Sequence, residues 1–291
     1  MKLLIRLKEG EMSKQKKSLV TAMITVCVSA ILTVAKTSES PIEVTYIANE
    51  GILIATHDKK VLIDALFDNP NPNYAAPSKD MLEGMQSGRA PFDNVDLVLV
   101  THNHPDHFSP SFAARFIKNN PNALLMAAAD AVDALKESVK DWEYVQDRVF
   151  SFELKPGETA EKSVNGISVR LFRTLHSGDL ESPQNLMYLI KMNGRTIFHE
   201  GDSDGKLSTF KNFGFDKEKI DLALVHFWFP LNPEGERIIL EVLKPGHVGL
   251  IHLPKRLEPD APSKIDMIKS HYEDIFLFIK QGEKKIIRNY P

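Results

Sequence analysis

Beyond residue 40, apolar residues return at every second position or in short unbroken runs. That spacing predicts strands at 42–47, 51–56, 60–65, 95–100, 149–154, 167–172, 186–192, 195–199, 222–225 and 248–251. Asn-Glu-Gly and Asp-Lys-Lys turns join the first three, and a last strand pair is expected around Gln281-Gly282. Apolar spacing of three to four predicts helices at 110–118, 129–139, 235–243 and 263–270, the first introduced by a Ser109 cap and a Pro110 at its first turn. Residues 66–92 follow neither period. Their Asn-Pro-Asn-Pro-Asn run at 69–73 leaves room only for a short helix near 79–85, and so long an irregular stretch is usually functional or mobile. Strands interleaved with helices describe an α/β (α+β) protein whose sheets are covered by helices on their outer faces.

Residues 1–40 follow another pattern. Lys14, Lys16 and Lys17 precede a charge-free apolar stretch at 19–35, in which Val28-Ser29-Ala30 and Thr33-Val34-Ala35 resemble small-residue cleavage sites. The segment reads as a secretory signal or an uncleaved membrane anchor, leaving 41–291 as one domain, exported to the periplasm or secreted. With 43% hydrophobic and 26% charged residues, the chain is globular by composition. Its net charge of −3 becomes more negative without residues 1–35, which carry six basic and two acidic residues, and this argues against nucleic acid as a partner. The single cysteine, Cys27, lies in the leader, so the body has neither a thiolate metal ligand nor a Cys nucleophile.

Chemistry concentrates in Thr101-His102-Asn103-His104-Pro105-Asp106-His107, directly after the apolar run at 95–100. In extended chain, residues two apart point the same way, so His102 and His104 can grip one ion. Pro105 turns the chain, and Asp106 and His107 then face a second position. Imidazole and carboxylate without thiolate favour zinc, with iron or manganese as alternatives. Further candidates stand at strand ends: His176, Asp202 in His199-Glu200-Gly201-Asp202, and His252. Singly, each is the kind of residue that caps a turn.

Together these residues resemble the metallo-β-lactamase superfamily, whose pattern is HxHxDH, a later His, an Asp after Gly and a final His. The resemblance spans about 41–291 and implies a four-layer αβ/βα sandwich with two metal ions at one end. By that resemblance His102, His104 and His176 hold one ion, Asp106, His107 and His252 the other, and Asp202 bridges them. Asp64, ending the third strand, matches an acidic residue that orients ligands. His104 stands where diiron relatives carry Glu, which favours a zinc hydrolase. Asn185-Leu186-Met187-Tyr188 and Phe198-His199-Glu200-Gly201-Asp202 resemble the branch that contains ascorbate-phosphate lactonase-like proteins and an N-acylethanolamine-releasing phospholipase D.

The implied reaction is attack by a metal-bridging hydroxide on an ester, lactone, amide or phosphodiester, with Asp106 orienting the hydroxide. His226, at the end of an apolar run, is the candidate proton donor, and His199 a partner standing behind the ligands. Trp228, in a His-Phe-Trp-Phe-Pro run, and Lys255 are candidate substrate contacts. Tyr74, Met81, Met85 and Phe92 are candidates for a lid over a small-molecule or lipid-like substrate. The rivals are a mononuclear iron thiol or persulfide dioxygenase of the same fold and a metal-binding relative without turnover.

Overall fold

The computed structural model describes residues 40–288, apart from 70 and 179. The expected signal or anchor lies outside the described residues except for Ser40, and among those residues no helix is long and apolar enough to cross a membrane.

The chain begins as an antiparallel meander of β1 (Ile42–Ala48), β2 (Gly51–Thr56) and β3 (Lys59–Ile63). After α1 (Lys79–Ser87) it becomes a parallel series: β4 (Leu97–Val100), α2 (Pro110–Asn119), β5 (Leu124–Ala128), α3 (Ala129–Ser138) and β6 (Val149–Phe152). The second half repeats the plan. β7 (Thr159–Val164), β8 (Ile167–His176), β9 (Leu180–Met192) and β10 (Arg195–His199) run antiparallel. A parallel series follows: α4 (Leu207–Asn212), β11 (Leu222–His226), α5 (Pro233–Arg237) with a π-helical continuation over Ile238–Leu243, β12 (His247–Ile251), α6 (Ala261–Ile268) and β13 (Ile275–Leu277). β14 (Lys284–Ile287) returns to pair with β1. Each half is thus a seven-stranded sheet, β14-β1-β2-β3-β4-β5-β6 and β13-β12-β11-β10-β9-β8-β7.

Strand alternation makes the layers. Leu97 and Leu99 face the other sheet, where they meet a shared core with Leu186, Tyr188 and Ile190. Val98 and Val100 point outward to Phe112, Phe116 and Leu135 of α2 and α3. Met187 and Leu189 point the opposite way, to Phe210, Ile238 and Ile265 on the second sheet's outer face. Helices, sheet, sheet, helices is the expected four-layer sandwich.

Four local expectations change. β5 was not expected, because Leu-Leu-Met-Ala-Ala favours helix, and only its place between β4 and β6 makes it a strand. β7 hides in Thr-Ala-Glu-Lys-Ser-Val, an edge strand that alternates between exposed and half-buried positions. The short α4 was also not expected. The last two strands are not a pair: β13 joins the second sheet and β14 the first.

Candidate metal centre

The site lies where the two sheets open at the C-terminal ends of their parallel strands, the usual place for chemistry in such sheets. Asp64 follows β3, and His102 to His107 follow β4. His176 ends β8, Asp202 follows β10, His226 ends β11 and His252 follows β12. Backbone strain marks several of these positions, with φ of 43° at Asp64 and 56° at His252. Gly201 turns the chain into Asp202 at φ 58°, and a Cβ there would stand 2.8 Å from both Asn185 Oδ1 and Thr101 Cβ.

Asp202 is the hub. Its Oδ2 lies 3.3 Å from His176 Nε2 and 3.8 Å from His102 Nε2. Its Oδ1 lies 3.5 Å from His252 Nε2 and 3.7 Å from His107 Nε2. His104 Nδ1 is 3.1 Å from His102 Nε2. Ligand atoms of His102, His104, His176 and Asp202 all fall within 4.8 Å of one another, as do those of Asp106, His107 and His252. The seven expected side chains are therefore brought together.

The donors fit a divalent cation. His176 Nε2 is buried without a hydrogen-bond partner, although it faces Asp202. The set is imidazole and carboxylate only, which suits zinc, manganese or iron. Carboxylates and hydroxyls fix the rings from behind, as metal-binding histidines require. Asp64 Oδ2 accepts from His107 Nδ1 at 2.9 Å, and its Oδ1 from the Thr101 N–H at 2.7 Å. Thr101 Oγ1 bonds the same carboxylate and lies 3.0 Å from His102 Nδ1. Asp106 Oδ2 accepts from Asn71 Nδ2 at 3.0 Å and Asn49 Nδ2 at 3.4 Å. Asn185 Oδ1 accepts from the Asp202 N–H at 3.0 Å.

The electrostatics separate the histidines. Burial holds His102 well below the usual imidazole range, helped by neighbouring His107, His176 and His104. Burial takes His252 down to about 3. Burial also opposes charge on His107, but Asp202, Asp64 and Glu50 outweigh it and lift that ring to about 10. Asp202 stays well below the usual carboxylate range: burial works against its charge, and His252, His107 and His102 overcome that. Burial lifts Glu200 to about 8.

Several expected roles shift. His226, the expected proton donor, is wholly buried, with Nε2 2.9 Å from Asp202 Oδ1. His199 holds the Gly201 turn: its Nδ1 accepts from the Gly201 N–H at 3.2 Å, and Nε2 lies 3.4 Å from the Glu50 carbonyl. Trp228 stands beside the centre, its ring 4.0 Å from His226 and 5.9 Å from His252. Lys255 fastens the 71–73 segment, its Nζ donating to the Asn71 carbonyl at 3.3 Å and its N–H to the Asn73 carbonyl at 2.8 Å. Of the four lid candidates only Tyr74 meets the site, 4.3 Å ring to ring from His252. Met85 and Phe92 are core under α1 and α2, with Met81 packed against them.

Asn49 and Glu50 had no signal beyond a turn sequence. Yet Asn49 bonds Asp106, and Glu50, fully buried, lies 2.6 Å from His226 Nε2.

A family profile described as a beta-lactamase superfamily domain matches residues 43–226. The chain is 28% identical over 218 residues to a UPF0173 metal-dependent hydrolase of Pyrococcus furiosus, across 72% of this chain and 84% of that one. In fold it is similar to Igni18, a metallo hydrolase from Ignicoccus hospitalis (TM-score 0.60, 16% identity, covering 86% of this chain and 100% of that one). It is also similar in fold to CmlA, a diiron beta-hydroxylase from Streptomyces venezuelae (TM-score 0.54, 14% identity, 87% of this chain and 54% of that one). Fold, site and profile agree: the chain belongs to the metallo-β-lactamase superfamily.

Proposed function

We propose that this metal-dependent hydrolase works with two zinc ions, one held by His102, His104 and His176 and the other by Asp106, His107 and His252. Asp202 lies between them. The observation that carries this reading is the division of Asp202: Oδ2 faces one set of imidazoles and Oδ1 the other. Such a pair of ions would lower the pKa of an attacking water and polarise the carbonyl or phosphoryl oxygen of an ester, lactone, amide or phosphodiester. The chain's own part is alignment. Asp106, fixed by Asn49 and Asn71, would hold and orient the attacking water. Asp64 keeps the His107 ring in register, and Trp228 and Tyr74 form an aromatic wall suited to a small-molecule or lipid-like substrate. The narrower likeness to the lactonase-like and phospholipase D-like branch, and export from the cytoplasm, belong to the same proposal; the leader's charge pattern supports export.

Fold does not choose between hydrolysis and oxygen chemistry, since a hydrolase and a diiron hydroxylase are both similar to this chain. Manganese or iron would fit the same donors. The test is metal analysis joined to a panel of chromogenic esters, lactones, phosphodiesters, phospholipids and β-lactams, with His104→Ala as control. Two zinc ions per chain and hydrolysis that His104→Ala abolishes are expected. One iron per chain with oxygen uptake would instead establish the dioxygenase rival, and metal without turnover of any substrate the binding relative.

A further inference from the structure

The centre contains a second set of converging ligands that the HxHxDH motif does not supply. The turn between β1 and β2 places Glu50 beneath Asp202, and Gly51 permits the turn because a Cβ there would stand 2.8 Å from the Ala48 carbonyl. Glu50 is fully buried, and neither of its carboxylate oxygens accepts a hydrogen bond. Oε1 lies 2.6 Å from His226 Nε2, but the hydrogen bond of that nitrogen goes to Asp202 Oδ1 at 2.9 Å. One N–H shared between two carboxylates satisfies neither fully, and Glu50 Oε2 is left with no donor at all. A buried carboxylate left this way is costly by several kcal/mol, unless something with more than one direction of attraction sits against it.

We propose that Glu50, Asp202, His226 and His252 form an additional, deeper seat for a divalent cation, with Glu50 as a direct ligand. Their ligand atoms all lie within 4.8 Å of one another, and all four residues are buried. The measured edges are 2.6 Å from Glu50 to His226, 2.9 Å from His226 to Asp202 and 3.5 Å from Asp202 to His252. They bracket the edge of about 3.3 Å in a tetrahedron with ~2.0 Å zinc–ligand bonds.

A carboxylate stands behind His226 as one does behind His107, though less closely. Asp64 bonds His107 Nδ1 at 2.9 Å, whereas Glu200 Oε1, which accepts from Ser203 Oγ at 2.9 Å, lies 3.6 Å from a His226 Nδ1 that is buried without a hydrogen bond. A carboxylate behind an imidazole is how proteins orient a metal-binding ring. His252 and Asp202 belong both to this set and to the one completed by Asp106 and His107. The second ion of the pair proposed above therefore has an inner seat as well as an outer one, and this inference rests on that reading only for the number of ions.

The test is zinc and cobalt titration of the purified protein and of Glu50→Gln, which keeps the side chain's shape. It is followed by metal content, competition with a chromophoric chelator and the visible cobalt spectrum. Glu50→Gln should weaken one equivalent of zinc at least about tenfold and alter the cobalt bands of that equivalent, while the ion held by His102, His104 and His176 keeps its affinity. Binding within twofold of wild type, with an unchanged spectrum, would overturn the proposal. If the wild type itself takes only one ion, the two-ion reading fails, and the same comparison on that single ion still decides about Glu50. Anomalous scattering at the zinc edge guards against a variant that does not fold: in wild-type crystals a peak within about 2.5 Å of a Glu50 oxygen supports the seat, and none there refutes it.

Discussion

The two halves of the molecule share one plan, an antiparallel meander followed by a parallel series, but they furnish the centre differently. The first half places His102, His104, Asp106 and His107 on one loop after β4, backed by Asp64 at the end of β3. The second half sends His176, Asp202, His226 and His252 from four separate strand ends. A single loop depends on local geometry and one orienting carboxylate. Four strand ends depend on the register of a whole sheet, and Asp202 faces ligands of both halves. Damage to the two halves should therefore differ in kind.

The largest effect is expected where the halves meet. Asp202→Ala removes the oxygen pair facing His176 and His102 on one side and His252 and His107 on the other. Both metal equivalents should be lost and hydrolysis should fall to background, beyond the 10–100-fold typical of losing an outer partner. Asp106→Asn, confined to one loop, should spare the ion held by His102, His104 and His176. Metal content per chain checks both, and equal losses in the two variants would contradict the division.

The same contrast explains what could be read without coordinates. The first half's loop was legible because its ligands are contiguous and their spacing has a direct geometric meaning. His176, Asp202 and His252 gained meaning only through their order after that loop. Glu50 and Asn49 were not legible, because a turn sequence says nothing about what the turn is folded against. β5 was missed for a related reason: Leu-Leu-Met-Ala-Ala becomes a strand only between two others. Met81, Met85 and Phe92 suggested a lid, whereas α1 and the turn that follows it lay them on the core.

Within the first half, Asp64 tests whether the loop needs its support. Asp64→Asn keeps the shape but weakens the bonds to His107 Nδ1 and the Thr101 N–H. Zinc affinity should fall about 10–100-fold, read by chelator competition, while circular dichroism stays unchanged. No loss of affinity would mean that the loop holds its own geometry.

Protonation offers a milder contrast. His107, in the first half, titrates at about 10 in the metal-free protein, above the unperturbed ~6.5. Its contribution to metal-free stability is therefore full below ~6.5 and lost as pH rises through 10. His252, in the second half, is held at about 3, so its neutral form costs stability progressively as pH falls from ~6.5 towards 3. Zinc must displace the proton on His107 but finds His252 already neutral. Loading at pH 8 should release at least about one proton per chain, and apparent affinity should climb with pH up to 10. Calorimetry in buffers of different ionisation enthalpy measures this, and zero proton release would contradict the lifted His107.

The smallest effect belongs to Lys255, which ties the β12 end of the second half to the segment before α1. Its Nζ reaches the Asn71 carbonyl, and the Asn71 side chain in turn holds Asp106. Lys255 is exposed, and its backbone N–H bond to Asn73 survives any side-chain change. Lys255→Ala should therefore shift stability by no more than about 0.5 kcal/mol. If the amine only fastens the segment, KM and kcat should move by similar small factors for charged and uncharged substrates. If it also meets an anionic group, KM should rise selectively for phosphodiesters or carboxylates, because one exposed charge contributes to binding and little to a buried centre. Kinetics on one charged and one neutral substrate separate the two roles, and a larger loss in kcat than in KM would place Lys255 nearer the reacting atoms than its tether implies.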